Sequence, residues 1–103
     1  MNANRDQQTI EIVTRFFSVL DRLKQDGVIR GIQTFTTRYN IGRWNFITMR
    51  NNPEQCGAFR VHWLAVLVRD YKINPYYLLL GEGSVYIPGF TPEIVRKLQE
   101  NCK

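Results

Sequence analysis

Cysteine and histidine are scarce in this sequence, with two of the first, Cys56 and Cys102, and one of the second, His62. They make neither a CxxC pair nor a metal-ligand spacing, which excludes the common cysteine-histidine zinc frameworks and leaves two reduced thiols as the expectation. Carboxylates paired at a spacing suited to acid-base work are missing as well. Ser18 and Ser84 have no GxSxG context, and Gly81-Glu82-Gly83 lacks the lysine and the strand-to-helix setting of a phosphate loop. His62 reads as a surface or half-buried residue. The expectation is a chain without catalytic residues, metal or cofactor. No apolar run reaches the roughly 18 residues of a membrane helix, and the opening MNANRDQQ is polar rather than signal-like. Neither secretion nor a membrane partner is expected, and the expected location is the cytoplasm.

Acidic residues are missing from one long stretch. Between Val28 and Arg69 stand six arginines (Arg30, Arg38, Arg43, Arg50, Arg60, Arg69), no lysine and a single acid, Glu54. Their surplus of five equals the net charge of the whole chain, +5, because eight basic residues elsewhere meet eight acidic ones. Charge concentrated in this way suits a polyanion whose phosphates it neutralises; the alternative is a solvated surface that happens to be rich in arginine. With 44% hydrophobic and 22% charged residues, the 103-residue chain has the composition of one globular domain. At that size most of the apolar residues have to share a single core.

What is present in quantity is helical spacing. Ile10, Val13, Phe16, Phe17, Leu20 and Leu23 recur at three- and four-residue intervals, which predicts an amphipathic helix over 9–25, with Thr9 or Asp6 as its cap and Gly27 at its end. A second helix is predicted over 32–39, and a third from Gly42 or Arg43 to Asn51. A polar loop over 51–58 contains Pro53. A fourth helix over 59–71 is expected to turn Leu64, Leu67, Val68 and Tyr71 inward. Asn74-Pro75 places a capping side chain before a first-turn proline, so a short helix over 76–80 ends at Gly81. Beyond it, Ser84 to Ile87 reads as an extended arm, and Thr91-Pro92-Glu93 opens a helix of about ten residues with Ile94, Val95 and Leu98 as a narrow apolar stripe. So short a helix needs something to pack on, either its own domain or a second copy of the chain.

The segment FTTRYNIGRWNFITMRN, residues 35–51, carries the most information. Phe35 and Tyr39 share one side of a helix, Asn40 tolerates the left-handed backbone of an abrupt exit, and Ile41 can plug the angle that follows. In the next helix, the turn of about 100° per residue puts Gly42, Asn45, Phe46 and Met49 on one side, and Arg43, Trp44, Ile47, Thr48 and Asn51 on the other. The second side mixes a guanidinium, a hydroxyl, an amide and apolar atoms, the groups that read base edges in the major groove. Through Phe35, Thr36, Tyr39, Asn40, Ile41, Phe46 and Met49, this stretch resembles the helix-turn-helix of the Cro/CI-like (XRE-type) family of DNA-binding domains. It differs in having Thr36 for the usual alanine, Asn40 for the turn glycine, Ile32 then Gln33 around the place of a first-helix glutamine, and Arg50 where a glutamate is common.

That resemblance implies an all-α fold, a five-helix phage-repressor-like bundle over 9–83. It would follow a polar tail over 1–8 and precede a C-terminal extension over 84–103 that holds an additional helix. It also implies a sequence-specific, repressor-like transcription regulator of double-stranded DNA that needs no cofactor. The homodimer it implies would join through the extension and span half-sites about 34 Å apart. Arg43, Trp44, Ile47 and Thr48 are then expected at base edges. Gln33, Thr34 and Thr37, near the start of the first corner helix, and Arg38, Arg50, Asn51 and Arg60 around them, are expected at phosphates. The other reading is a protein-interaction module on the same scaffold, anchored by Trp44 and Ile47.

Overall fold

The computed structural model describes residues 7–101, which form six helices: α1 (Gln7–Gln25), α2 (Ile32–Arg38), α3 (Arg43–Asn51), α4 (His62–Tyr71), α5 (Pro75–Leu80) and α6 (Pro92–Asn101). The architecture is all-α, and among the described residues the only β-type pairing is an isolated antiparallel bridge between Ile73 and Tyr86. α1 begins at Gln7, two residues before the expected start, and Asp6, the rival cap, lies outside the described residues. α4 begins at His62 rather than Phe59, because residues 56–61 form turns, with the Phe59 amide bonded to the Cys56 carbonyl. Its inward face includes the expected residues and extends beyond them. Trp63, Val66, Leu67 and Tyr71 are buried, while Leu64 and Val68 are half-buried against the core's rim.

Burial of apolar surface supplies most of the driving force for such a fold, and here it converges on Phe16. Its ring is fully buried and lies 5.1 to 6.1 Å from the rings of Phe17, Phe35, Phe46, Phe59 and Trp63. α1 thus holds α2, α3, the 56–61 turns and α4 through one side chain. The four pairs with Phe residues are edge-to-face, the arrangement that the ring quadrupole favours. Cys56, a free thiol, is buried in the same core; Cys102 lies outside the described residues.

The corner between α2 and α3 is built as its residues require. Asn40 has φ 55°, and the amides of Asn40 and Ile41 bond back to the carbonyls of Thr37 (3.4 Å) and Thr36 (2.8 Å), which ends α2 with a left-handed asparagine in a Schellman motif. Thr36 is buried where a smaller residue would fit, and its hydroxyl is satisfied by the Gln33 carbonyl at 3.2 Å. Phe35 and Phe46 stack at 5.9 Å, which fixes the side of α3 that turns inward.

The C-terminal segment completes the core in its own chain. Asn74 caps α5 by accepting from the Tyr76 amide, Gly81 ends that helix at φ 75°, and Arg15 from α1 forks onto the last carbonyls, Leu78 at 3.1 Å and Leu79 at 2.8 Å. The 84–87 arm pairs beside residues 72–74, with Asn74 N to Val85 O at 2.8 Å and Ile87 N to Lys72 O at 2.9 Å. It buries the Tyr86 ring, whose hydroxyl donates to Asp26 at 2.8 Å. Thr91 caps α6 by accepting from the Ile94 amide, and Val95 is fully buried while Ile94 stays outside. α6 therefore packs on its own domain, against α4.

Replacing Phe16 by alanine is expected to cost about 3–5 kcal/mol, because the five rings around it cannot all collapse into the space. That approaches the whole stability of a small domain, about 5–15 kcal/mol. Urea unfolding followed by circular dichroism measures it; a loss under about 1 kcal/mol would show that the ring is not the hub.

Candidate nucleic-acid interface

α3 is amphipathic in the narrow sense that only Phe46 and Met49 are buried. Arg43, Thr48, Arg50 and Asn51 are exposed, Ile47 is half-buried, and Trp44 is 86% exposed. The expected outward ridge of Arg43, Trp44, Ile47, Thr48 and Asn51 is therefore on the surface. Asn45 and Gly42, expected inward with Phe46, are exposed instead, because α3 touches the core through a strip only two side chains wide. An indole so open to water is unusual, since aromatic residues dominate cores and interfaces. With Arg43 and Ile47 it forms a shallow apolar pocket.

Beside that ridge runs a groove lined by Arg30, Gln33, Thr34, Arg43, Ile47 and Arg50. It brings together two of the expected phosphate residues at the start of α2, two expected base residues on α3, and Arg50. Gly31, which caps α2 without a side chain, lines it too. No acidic residue is among its lining residues. In the sequence Arg30 stands out only through its share of the charge count, because nothing in the link over 28–31 shows which way it faces. Arg60 stands apart from this groove. It lines a separate cleft on the other flank of the corner, with Asn45, Tyr39 and His62. Thr37 is exposed on α2.

The six arginines of the basic stretch are not six free cations. Arg69 pairs with Asp70 at 3.1 Å and Arg50 with Asp21 at 3.4 Å, the second across a gap where both side chains remain about half exposed. Exposed pairs of that kind are weak and exchange easily. Arg38 is more firmly engaged. It donates to the Tyr71 hydroxyl at 3.4 Å and to Gln99 on α6, and its guanidinium lies over the rings of Tyr39 (5.5 Å) and Tyr71 (5.8 Å). Arg30, Arg43 and Arg60 make no salt bridge among the described residues.

Arg38 belongs to a network that ties the corner to α4 and α6. The Tyr39 hydroxyl donates to Asp70 at 2.7 Å, and the Gln99 amide donates to the Asp70 backbone carbonyl. Burial, together with the hydrogen bond to Asp70, raises the Tyr39 hydroxyl far above the usual phenol range. Burial alone would also raise the Asp70 carboxyl, but the hydrogen bonds from Arg69 and Tyr39 outweigh it and hold that carboxyl below the ordinary aspartate value.

No protein-family model, no curated protein and no solved structure matches this chain. Among the described residues no three histidine, cysteine, aspartate or glutamate side chains are grouped as metal ligands, and no helix is long and apolar enough to cross a membrane.

Since Asp70 has a lower pKa folded than unfolded, its carboxylate stabilises the fold above the unfolded value of about 4, and this gain is lost as pH falls toward the folded value. Asp70→Asn is expected to lower stability near neutrality by about 1 kcal/mol, and the gap from the parent chain should close below about pH 4. Thermal melts of both proteins across that range decide it; a gap that persists at low pH would exclude the carboxylate as the cause.

Proposed function

We propose that this chain is a sequence-specific double-stranded DNA-binding protein, a repressor-like transcription regulator of the Cro/CI-like (XRE-type) helix-turn-helix class, in which α3 enters the major groove. The observation that carries this reading is the α3 ridge. Its exposed Arg43, Thr48 and Asn51, with Ile47 beside them, are ones the core does not use, and they stand next to a groove lined by three arginines and no acid.

In this reading Arg43 forks onto guanine acceptors, Thr48 reaches an adjacent base edge, and Trp44 with Ile47 lies along thymine methyl groups or sugars. Gln33, Thr34, Arg50 and Asn51 donate to phosphates and set the register, with Arg60 and Thr37 as flanking contacts. Arg50 would exchange Asp21 for a phosphate, a small cost because both are exposed. Arg38 gives Nη1 to Tyr71 and Gln99, and the remaining donors of this exposed side chain make it a further flanking phosphate contact. A homodimer that binds two half-sites would need a surface other than the buried side of α6.

The exposure of Trp44 favours a second reading, a protein-interaction module in which Trp44 and Ile47 anchor a partner. Salt separates the two. Binding to random duplex DNA is expected to fall on the order of 10³-fold between about 50 and 200 mM salt if several phosphates are neutralised. An absence of binding at low salt would leave the protein-interaction reading.

The roles within the interface are separable on selected and random duplexes. Arg43→Ala is expected to cost about 1–3 kcal/mol on the preferred sequence and to relax preference at one base pair, whereas Arg60→Ala weakens all duplexes alike. Equal losses by both variants on both duplexes would refute this division.

A further inference from the structure

The groove beside α3 does not end at α2. Arg30 and Thr34 also line a second groove, whose far wall is α6, with Arg96 and Glu100. The two grooves share those residues, so one continuous surface strip runs from Arg50 and Arg43, over Arg30, to Arg96. We propose that the strip is a phosphate track, and that the C-terminal helix holds its far end by placing Arg96 on the DNA backbone beyond the segment α3 reads. This rests on the DNA-binding reading above and adds α6 to the interface.

The charges along the strip favour that occupant. Arg96 donates Nη1 to the backbone carbonyl of Asp26 at 2.9 Å, which orients the guanidinium without neutralising it. The Asp26 carboxylate is turned elsewhere, to Arg22 at 3.0 Å and the Tyr86 hydroxyl at 2.8 Å. Arg30 and Arg43 have no acidic partner among the described residues, and Arg50 has only the exposed Asp21. Glu100 is the one acid among the lining residues of the two grooves. Four arginines, against Glu100 and the Asp21 that meets Arg50, form an electropositive line from α3 to α6, and duplex DNA presents a line of phosphates to match it.

The full chain is titrated against a random-sequence duplex, and against a selected one, over a range of salt. Arg96→Gln removes the charge while keeping a donor for the Asp26 carbonyl. It should weaken binding roughly five- to tenfold near 0.1 M salt and reduce the salt slope by about 0.9, with base preference unchanged. Glu100→Gln, at an exposed site, should tighten binding roughly two- to threefold, whereas Glu11→Gln on α1, off the strip, should leave it as it is. Should Arg96→Gln melt early, the Glu100 and Glu11 pair still decides the matter. Parental affinity and slope in both strip variants, or an equal gain from Glu11→Gln, would overturn the proposal while the DNA reading stands. If the parent chain binds neither duplex at low salt, both fall together.

Discussion

The position of the Phe16 ring is the constraint on which everything else depends. A chain of this length has room for one core, and that core is organised around a side chain on the longest helix. Because Phe16 touches Phe35 on α2 and Phe46 on α3, and these two stack on each other, the three rings form a closed triangle. A triangle of packed rings leaves α3 one way to roll. Once Phe46 and Met49 are committed to the core, Arg43, Trp44, Ile47 and Thr48 have to stand on the other side. The outward ridge is thus a consequence of packing, set by residues that are themselves buried.

Local signals were the legible part of the sequence, and those that depend on three-dimensional neighbours were not. The Asn40 corner, the Asn74-Pro75 cap and the Thr91-Pro92 start were readable because each is a backbone rule confined to four or five residues. The inward side of α4 is wider than the spacing predicts: Leu67 and Tyr71 are buried and Leu64 and Val68 pack against the core half-buried, while Trp63 and Val66, which the spacing does not single out, are buried as well. Contact with Phe16 and Phe46 turns Trp63 inward beside them. Asn45 is exposed for a related reason. A helical wheel marks half the circumference as inward, but this nine-residue helix buries only Phe46 and Met49.

Charge is the property for which chain order misled most. The stretch over 28–69 stops one residue short of Asp70, the carboxylate that pairs with Arg69 and accepts from Tyr39. Asp21, far away in sequence, meets Arg50. A count along the chain therefore overstates the free positive charge and cannot locate it. In space the unpaired cations sort themselves, with Arg30 and Arg43 in one groove, Arg60 on another flank and Arg38 drawn into the α6 contact. Arg30 gains its importance only from this sorting.

The same comparison separates residues that hold the fold from residues left over for a partner. Arg38 commits Nη1 to Tyr71 and Gln99, and Arg15 commits Nε and Nη2 to the end of α5, so both side chains tie separate helices together. Arg43, Trp44, Thr48 and Asn51 satisfy nothing comparable, and an indole held 86% in water gives up the burial energy that makes tryptophan valuable in a core. Folding alone gives no reason to place that residue there beside an acid-free groove. In the proposed DNA-binding reading, a partner that covers the indole and neutralises the arginines would compensate for both features at once, since duplex DNA offers methyl groups and phosphates within a single groove.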